Sequence, residues 1–475
     1  MDDPCFLPAY ELLVRYRAKE LSPVEVTRAA LERIDRLNPA LTAFVTVTRE
    51  LALEQARRAE AAYLAGRASE PLAGVPLSIK DLLSTMGIRT TRGSMLWREW
   101  IPDSDAPSVA RLRAAGAVIL GKTNTPELGW KGVTDNQVAG VTRNPWNLER
   151  TPGGSSGGAV VAVATGMGAV ALASDGGGSI RIPAAFTGVY GLKPSHALVP
   201  GYPPSPFEHQ SHIGPVTRTV RDAALLLTVL AGPDERDRLS YDTPKDYLAT
   251  LDGDVAGLRI AWCPVLVDGL DAEPAVRDAA ARGVGELEAL GAAVEEIPAP
   301  LTPDVVEVHR TLLSTGFAAV FSNLQEVEDV IDPGLATMAR IGRGYAGVDV
   351  VAAHVRRLEI YQAIRPVFER YDLIATPAVS VTAFPADRDF PEQVNGRPGA
   401  RIYWTPYSFP FNYSGHPAAS VPCGTAPDGL PVGLQLIGGW RRDDLVLRAS
   451  AALERVQPWT EPLREATRTL LANAS

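Results

Sequence analysis

Cysteine is scarce in this chain of 475 residues. Only Cys5, Cys263 and Cys423 occur, and no two of them form a CxxC pair. Three scattered thiols argue against a disulfide framework and against a structural zinc site. We therefore expect a reducing, cytoplasmic location and no bound metal ion.

Positive charge and long apolar runs are also scarce. Lysine and arginine total 46 against 55 acidic residues, which gives a net charge of −9 without any basic run. That balance argues against nucleic acid or an anionic membrane as a partner. The longest apolar stretch, residues 159–173, is shorter than the ~20 residues that span a bilayer. The N-terminus lacks the basic and apolar parts of a signal peptide, so we expect no membrane association.

Strands and helices are predicted to alternate along the chain. A capping box of Ser22 and Glu25 starts an early helix, and Pro39 is predicted to end it. Helical patterns also cover residues 305–330 and, as the predicted final helix, residues 444–456. Such alternation is typical of an α/β fold with a mostly parallel or mixed sheet.

No composition shift marks a domain boundary. We therefore predict a single domain over residues 1–475, which is within the range of large α/β domains. Its predicted parts are N-terminal helices over residues 1–70, a core over 71–240, and the remaining core and pocket segments over 241–475.

Two glycine–serine clusters flank the apolar residues 159–173. The first runs over residues 153–158 and the second over 176–179. A flexible linker would be polar throughout, whereas the Ala/Val-rich middle here is typical of buried chain. Glycines beside buried backbone indicate a site where the chain closely approaches another group.

Three sequence patterns typical of nucleotide-binding or nucleophile sites occur in the chain, but each lacks the secondary structure that its motif requires. Residues 116–123 fit the P-loop pattern, but the variable positions form a strand instead of a phosphate-binding loop. Residues 154–158 fit G-x-S-x-G without the preceding apolar strand of a nucleophile elbow. Residues 166–171 fit the dinucleotide fingerprint without a strand before it. We therefore expect no cofactor.

A dense set of further motifs resembles the amidase signature family. The resemblance covers about residues 70–440 and implies a hydrolase with a central mixed sheet flanked by helices on both faces. The motifs are Gly74-Val75-Pro76-Leu77 before Lys80-Asp81, Gly121-Lys122-Thr123-Asn124, Asn144-Pro145-Trp146-Asn147, the two glycine–serine clusters, Gly191-Leu192-Lys193-Pro194, and Gly214-Pro215-Val216-Thr217-Arg218.

The resemblance implies a Ser–Ser–Lys triad and an acyl-enzyme. Ser179 resembles the nucleophile, Lys80 the base, and Ser155 the bridging serine that family members hold in a cis peptide bond. The implied oxyanion donors are the backbone amides of Gly176, Gly177, Gly178 and Ser179. Lysine acts as a base only when it is neutral, which requires a pKa lowered by about three units, and the apolar neighbours of Lys80 make burial plausible. A second serine is both donor and acceptor, so it can relay the proton.

Other polar residues of the motifs have simpler interpretations. Ser156 is predicted to support the triad, and Asp175 with Arg181 to form a buried pair that holds the glycine loop. Lys122 follows a strand and is interpreted as structural. A Ser–His–Asp mechanism would need a histidine such as His309, His354 or His416, and nothing in the sequence supports it.

The family acts on several substrates, and this chain resembles some members more than others. Gly176 and Thr187 stand where the amidotransferase subunit that releases ammonia from glutamine usually has Thr and Cys. Both differences argue against that subunit. It works with a partner protein and remains the alternative function.

We expect a monomer or homodimer that hydrolyses a small hydrophobic or aryl amide, with esters and carbamates as further candidates. The predicted pocket segments are aromatic-rich and carry no charged anchor apart from Arg401. They are residues 126–130, 202–207, 317–321 and 403–411.

Overall fold

An eleven-stranded mixed β-sheet forms the centre of the protein. The computed structural model describes residues 3–243, 246–400 and 402–473; Arg401 lies outside them. The strands are β1 Phe44–Val47, β2 Pro76–Lys80, β3 Val118–Thr123, β4 Asp135–Asn136, β5 Gly140–Val141, β6 Val170–Asp175, β7 Tyr190–Lys193, β8 His212–Thr217, β9 Arg259–Trp262, β10 Ala293–Glu296, β11 Leu373–Pro377, β12 Gln393–Val394, β13 Arg397–Pro398, β14 Ala418–Thr425 and β15 Pro431–Gly438.

The order across the large sheet is β1-β3-β2-β6-β8-β7-β14-β15-β11-β9-β10. Strands β3, β2 and β6 run parallel, as do β11, β9 and β10. The central strands from β6 to β11 pair antiparallel. The mixed sheet predicted from the sequence is therefore confirmed. It takes strands from all three predicted parts of the chain, and the single-domain division stays a prediction.

Helices pack around this sheet. They are α1 Ala9–Arg17, α2 Pro23–Leu41, α3 Arg49–Leu64, α4 Pro107–Ala114, α5 Gly157–Ala164, α6 Arg181–Thr187, α7 Val220–Leu230, α8 Pro274–Ala289, α9 Val305–Val320, α10 Leu324–Val327, α11 Pro333–Arg343, α12 Gly347–Arg370, α13 Pro410–Ser414, α14 Asp443–Val456 and α15 Thr460–Asn473. One core cluster joins apolar side chains from the N-terminal helices, the sheet and the C-terminal helices.

The segment between the glycine–serine clusters is buried, as predicted. It folds into α5 followed by β6, and every residue of α5 is buried. A helix that is apolar on all sides belongs in a protein interior. Its small alanine and valine side chains let it pack between the sheet and the neighbouring helices. The two clusters consequently lie at the start of α5 and at the end of β6.

Helix boundaries differ from the sequence prediction at two places. The capping box of Ser22 and Glu25 is present, but α2 continues past Pro39 to Leu41. Thr42, at φ 50°, closes the helix by donating its amide to the carbonyl of Asn38. Pro39 is tolerated because it removes a single amide near the end of the helix.

The predicted helix over residues 305–330 is divided in two. Helix α9 ends at Val320, and the short α10 begins at Leu324. Arg343 donates to the carbonyls of Phe321 and Ser322, which satisfies the backbone at the break. The prediction that residues 444–456 are the final helix is also wrong, because α15 follows α14.

Candidate active site

Lysine and aspartate stand at the ends of two parallel neighbouring strands. Lys80 is the last residue of β2, and Asp175 is the last residue of β6. The carboxyl ends of parallel strands lie at the same edge of a sheet, so the pairing of β2 with β6 brings both side chains there. Ser155 lies two residues before α5, and Ser179 lies two residues before α6. Both serines thus belong to loops at this edge.

Lys80 and Ser155 are in direct contact. The Nζ atom of Lys80 lies 2.7 Å from the Ser155 Oγ and 3.4 Å from the carbonyl oxygen of Ser174. The lysine side chain is fully buried. Burial lowers the pKa of Lys80 to about 7, although the negative charge of Asp175 acts to raise it. The Gly154–Ser155 peptide bond is cis, as the resemblance implies.

Ser179 faces a cavity beside this pair. Ser155, Ser179 and Gly177 all line that cavity. The Ser179 hydroxyl has no hydrogen-bond partner among the described residues, so the Ser155–Ser179 link is not formed here. Hydrogen bonds between catalytic groups are often long in structures without substrate.

Ser156 contacts the backbone on both sides of the second cluster. Its amide donates to the Ser179 carbonyl at 3.1 Å, and its hydroxyl lies 3.1 Å from the carbonyl of Ser174. Ser156 therefore ties the two serine loops together without itself lining the cavity. This placement is compatible with the supporting role predicted for it.

The glycine loop, residues 176–179, has fewer unpaired backbone amides than predicted. The Gly178 amide donates to the Asp175 Oδ1 at 2.7 Å, so the structure does not support Gly178 as an oxyanion donor. The amides of Gly176, Gly177 and Ser179 have no acceptor among the described residues. Gly176 and Gly177 also line the cavity, which makes their unpaired amides candidate oxyanion donors.

Asp175 and Arg181 form a fully buried ion pair at 2.9 Å. The same carboxylate accepts from the Gly178 and Ile180 amides, and the guanidinium donates to the side chains of Gln435 and Asn412. Burial acts to raise the pKa of Asp175, but the Arg181 charge and hydrogen bonds from the Arg181 and Asn412 side chains bring it well below its usual range. The pair therefore holds the glycine loop from inside the protein.

Lys122 is buried but lies outside the cavity wall. Its Nζ contacts the Leu83 carbonyl at 2.5 Å and the hydroxyls of Thr85 and Thr90 at 2.8 and 2.9 Å. Burial lowers the pKa of Lys122 to about 7. Three oxygen contacts to backbone and threonine indicate a structural amine, in keeping with the sequence interpretation.

No histidine forms a Ser–His–Asp arrangement among the described residues. The Nδ1 of His309 contacts the Tyr413 hydroxyl at 2.7 Å, and the Nδ1 of His416 contacts the Ser414 Oγ at 2.9 Å. His354 packs its ring against His209. The described part of the chain also holds no cluster of side chains suited to a metal ion.

The cavity beside Ser179 has a volume of about 690 Å³. Each of the four predicted pocket segments contributes to its wall, through residues such as Trp130, Phe207, Phe317 and Trp404. Sequence reasoning missed the cationic residues of the wall because they lie outside those segments. They are Arg92, Lys131, Arg236 and Arg238.

Comparison with known proteins assigns the chain to a family. The family model for amidases matches residues 25–447. The chain belongs to the amidase signature family. An acylamidase from Rhodococcus erythropolis is 37% identical over 462 residues, which cover 96% of each chain. The crystal structure of a bacterial aryl acylamidase of the same family has a TM-score of 0.91 and 31% identity, covering 97% of this chain and 98% of that one.

Another relative has a different activity. A glutamyl-tRNA(Gln) amidotransferase subunit from Moorella thermoacetica is 39% identical over 485 residues, covering 95% of this chain and 96% of that protein. Family membership makes this amidase signature protein an amide C–N hydrolase. In the described residues, no helix is long and apolar enough to cross a membrane. The oligomeric state, the cytoplasmic location and the lack of a nucleic-acid partner stay predictions.

Proposed function

We propose that this amidase signature enzyme hydrolyses small hydrophobic or aryl amides with Ser179 as nucleophile. The observation that carries the proposal is the 2.7 Å contact between Ser155 and a fully buried Lys80. With a pKa of about 7, Lys80 is largely neutral above that pH and can accept a proton. A serine hydroxyl is a weak nucleophile and needs such a base.

Ser155 relays the proton in this mechanism. As Ser179 attacks the amide carbonyl, its proton passes to the Ser155 Oγ while the Ser155 proton passes to Lys80. The proton returns by the same route to the leaving amine, and the C–N bond breaks to leave an acyl group on Ser179. Water, activated in the same way, then hydrolyses the ester and restores the enzyme.

The amides of Gly176, Gly177 and Ser179 are the proposed oxyanion donors. Donors held in place before reaction stabilise the charge that develops on the carbonyl oxygen, and one such donor contributes roughly 10²–10³-fold in rate. Asp175 occupies the amide of Gly178 and fixes the loop, so three amides remain free for the oxyanion instead of four.

The cavity wall supports an aromatic or apolar substrate. Trp130 and Trp404 lie at the same cavity as Ser179, and Phe317 lines it as well. Such rings offer large apolar contact area to an aryl group. The likeness to an aryl acylamidase and to an acylamidase supports the same substrate class. Esters and carbamates remain candidates because acyl transfer to serine proceeds through the same steps.

The test uses 4-nitroacetanilide with the purified single chain. We expect release of 4-nitroaniline and, after rapid quenching, an acetyl adduct on Ser179 by mass spectrometry. Ser179→Ala should abolish the adduct, and Lys80→Ala and Ser155→Ala should each cost several orders of magnitude in kcat, because groups that act as a unit lose most activity when one is removed. Ser211→Ala, at an exposed serine of the cavity wall, is the matched control.

Glutamine amidotransfer is the second candidate, favoured by the likeness to a subunit of that enzyme. The single chain, assayed with glutamine and with the anilide, distinguishes the two functions. Turnover of the anilide without glutamine would exclude the subunit function. Ammonia release from glutamine without anilide turnover would instead contradict the aryl amide proposal.

A further inference from the structure

Arg92 is the cation of the described cavity wall that forms no ion pair. Among the described residues, no carboxylate oxygen lies within 4.0 Å of its guanidinium nitrogens. The other three cations of the wall are paired. Lys131 contacts Asp135, Asp332 and Asp389, Arg236 contacts Asp234, and Arg238 contacts Glu208.

Two indole rings hold the Arg92 guanidinium instead. Its Cζ lies 4.4 Å from the ring centre of Trp100 and 5.4 Å from that of Trp97. Its Nε is buried and has no hydrogen-bond partner among the described residues. Burial lowers the pKa of Arg92, and the charge of Asp81 only partly opposes this effect. A partly buried guanidinium without an ion-pair partner gains stability when an anion enters the cavity and accepts hydrogen bonds from it.

The backbone of Arg92 is tied to both sides of the reactive centre. Its amide donates to the carbonyl of Asp81, the residue after Lys80, at 3.0 Å. Its carbonyl accepts from the amide of Leu128 at 2.8 Å. The next residue, Gly129, packs against Ser155, since a Cβ placed on this glycine would lie 3.1 Å from the Ser155 Oγ. Arg92 is thus held in a fixed position on the wall that leads to Ser155.

We propose that Arg92 binds a carboxylate of the substrate, remote from the amide bond that is cleaved. The planar guanidinium fork matches a carboxylate with two parallel hydrogen bonds, and its contacts with the two indole rings limit the positions it can take. The preferred substrates are then amides with an apolar or aromatic body and one anionic end. This inference rests on the proposed amide hydrolysis and names its substrate class.

The test compares acids with their methyl esters, which differ in one charge. The substrates are the mono-4-nitroanilides of succinic, glutaric and adipic acid, and N-acetyl-4-aminobenzoate for a carboxylate on the amine side. We expect the wild-type enzyme to prefer at least one acid over its ester. In Arg92→Gln the acid-to-ester ratio of kcat/KM should fall about 10- to 100-fold, mainly through KM.

Two further variants separate binding from packing. Arg92→Lys keeps the charge without the fork, so its ratio should lie between those of the wild type and Arg92→Gln. Arg236→Gln removes a cation that is already paired and should leave the ratio unchanged. If Arg92 only packs against the indoles, Arg92→Gln will slow acid and ester equally, and that result would overturn the proposal.

Binding measured without turnover distinguishes this inference from the proposed function. Calorimetry on Ser179→Ala should show the acids binding about tenfold or more tighter than their esters. Should Arg92→Gln fail to fold, this comparison decides alone, and equal affinity refutes the carboxylate site. Hydrolysis that survives in Ser179→Ala would contradict the proposed mechanism. The acid preference is decided separately, by the comparison of acid and ester binding.

Discussion

Replacing Lys80 with methionine should stabilise the protein, and more so at pH 7 than at pH 10. The lysine pKa falls from 10.5 to about 7 on burial. Above pH 10.5 the amine is neutral in both states, so folding carries no penalty. As the pH falls toward 7, the unfolded chain takes up a proton that the folded protein does not, and the stability is lost progressively. Below pH 7 both states are protonated and the penalty is constant.

The size of this effect follows from the shift. At about 1.4 kcal/mol per pKa unit, the full penalty is on the order of 5 kcal/mol, of which roughly 3 to 4 kcal/mol develops between pH 10 and pH 7. The stability of Lys80→Met minus that of the wild type should therefore be larger at pH 7 by that amount. The other buried lysines are present in both proteins and cancel from the difference.

Urea denaturation followed by tryptophan fluorescence measures this difference at the two pH values. Lys19→Met, at an exposed lysine, is the matched control for the loss of a lysine charge. A stability difference for Lys80→Met that does not change with pH would refute the lowered pKa and with it the lysine base. Wild-type kcat/KM should agree, rising with pH up to about 7 and then levelling as Lys80 becomes neutral.

Four further substitutions test the structure at the site and in the surrounding protein. Arg181→Met leaves a buried carboxylate without its partner and should lower the free energy of unfolding by about 3–5 kcal/mol in chemical denaturation; an unchanged midpoint would contradict the pair. Gly178→Ala places a methyl group 2.4 Å from the Ser408 Oγ at φ +121°, so it should lower the free energy of unfolding by about 1–3 kcal/mol or more. In Gly176→Ala the nearest atom to the new methyl group lies at 3.9 Å, so this variant should unfold at a temperature close to that of the wild type. Burial lowers the pKa of His416 to about 3. Below about pH 6.5 the unfolded chain therefore takes up a proton on this histidine that the folded protein does not, which destabilises the fold. Calorimetry should show a smaller loss of Tm between pH 6.5 and 4 in His416→Gln than in the wild type, and an equal loss in the two proteins would refute this.

The motif residues could be predicted because their chemistry depends on the chain itself. The two glycine–serine clusters and the apolar stretch between them identify buried backbone at a reactive site. The apolar neighbours of Lys80 made burial of its amine plausible, and the structure shows the side chain fully buried. Family resemblance connected these segments, and the fold and amide hydrolase activity that it implied are confirmed. The pocket segments could be recognised from their aromatic residues.

Other features were decided by contacts between distant segments. Gly178 looks like its glycine neighbours in the sequence, but only the folded loop brings its amide to Asp175. Arg92 follows two threonines and has no pattern that marks it, because its role depends on which rings and charges surround it. Helix α2 continues past Pro39 and ends at Leu41, because Thr42 closes its last turn. The sequence by itself determined the family and singled out the candidate reactive side chains, since motifs are properties of residue type and spacing. The tertiary structure decided which amides and charges remain unpaired at the cavity, because pairing depends on which partner lies nearest in space.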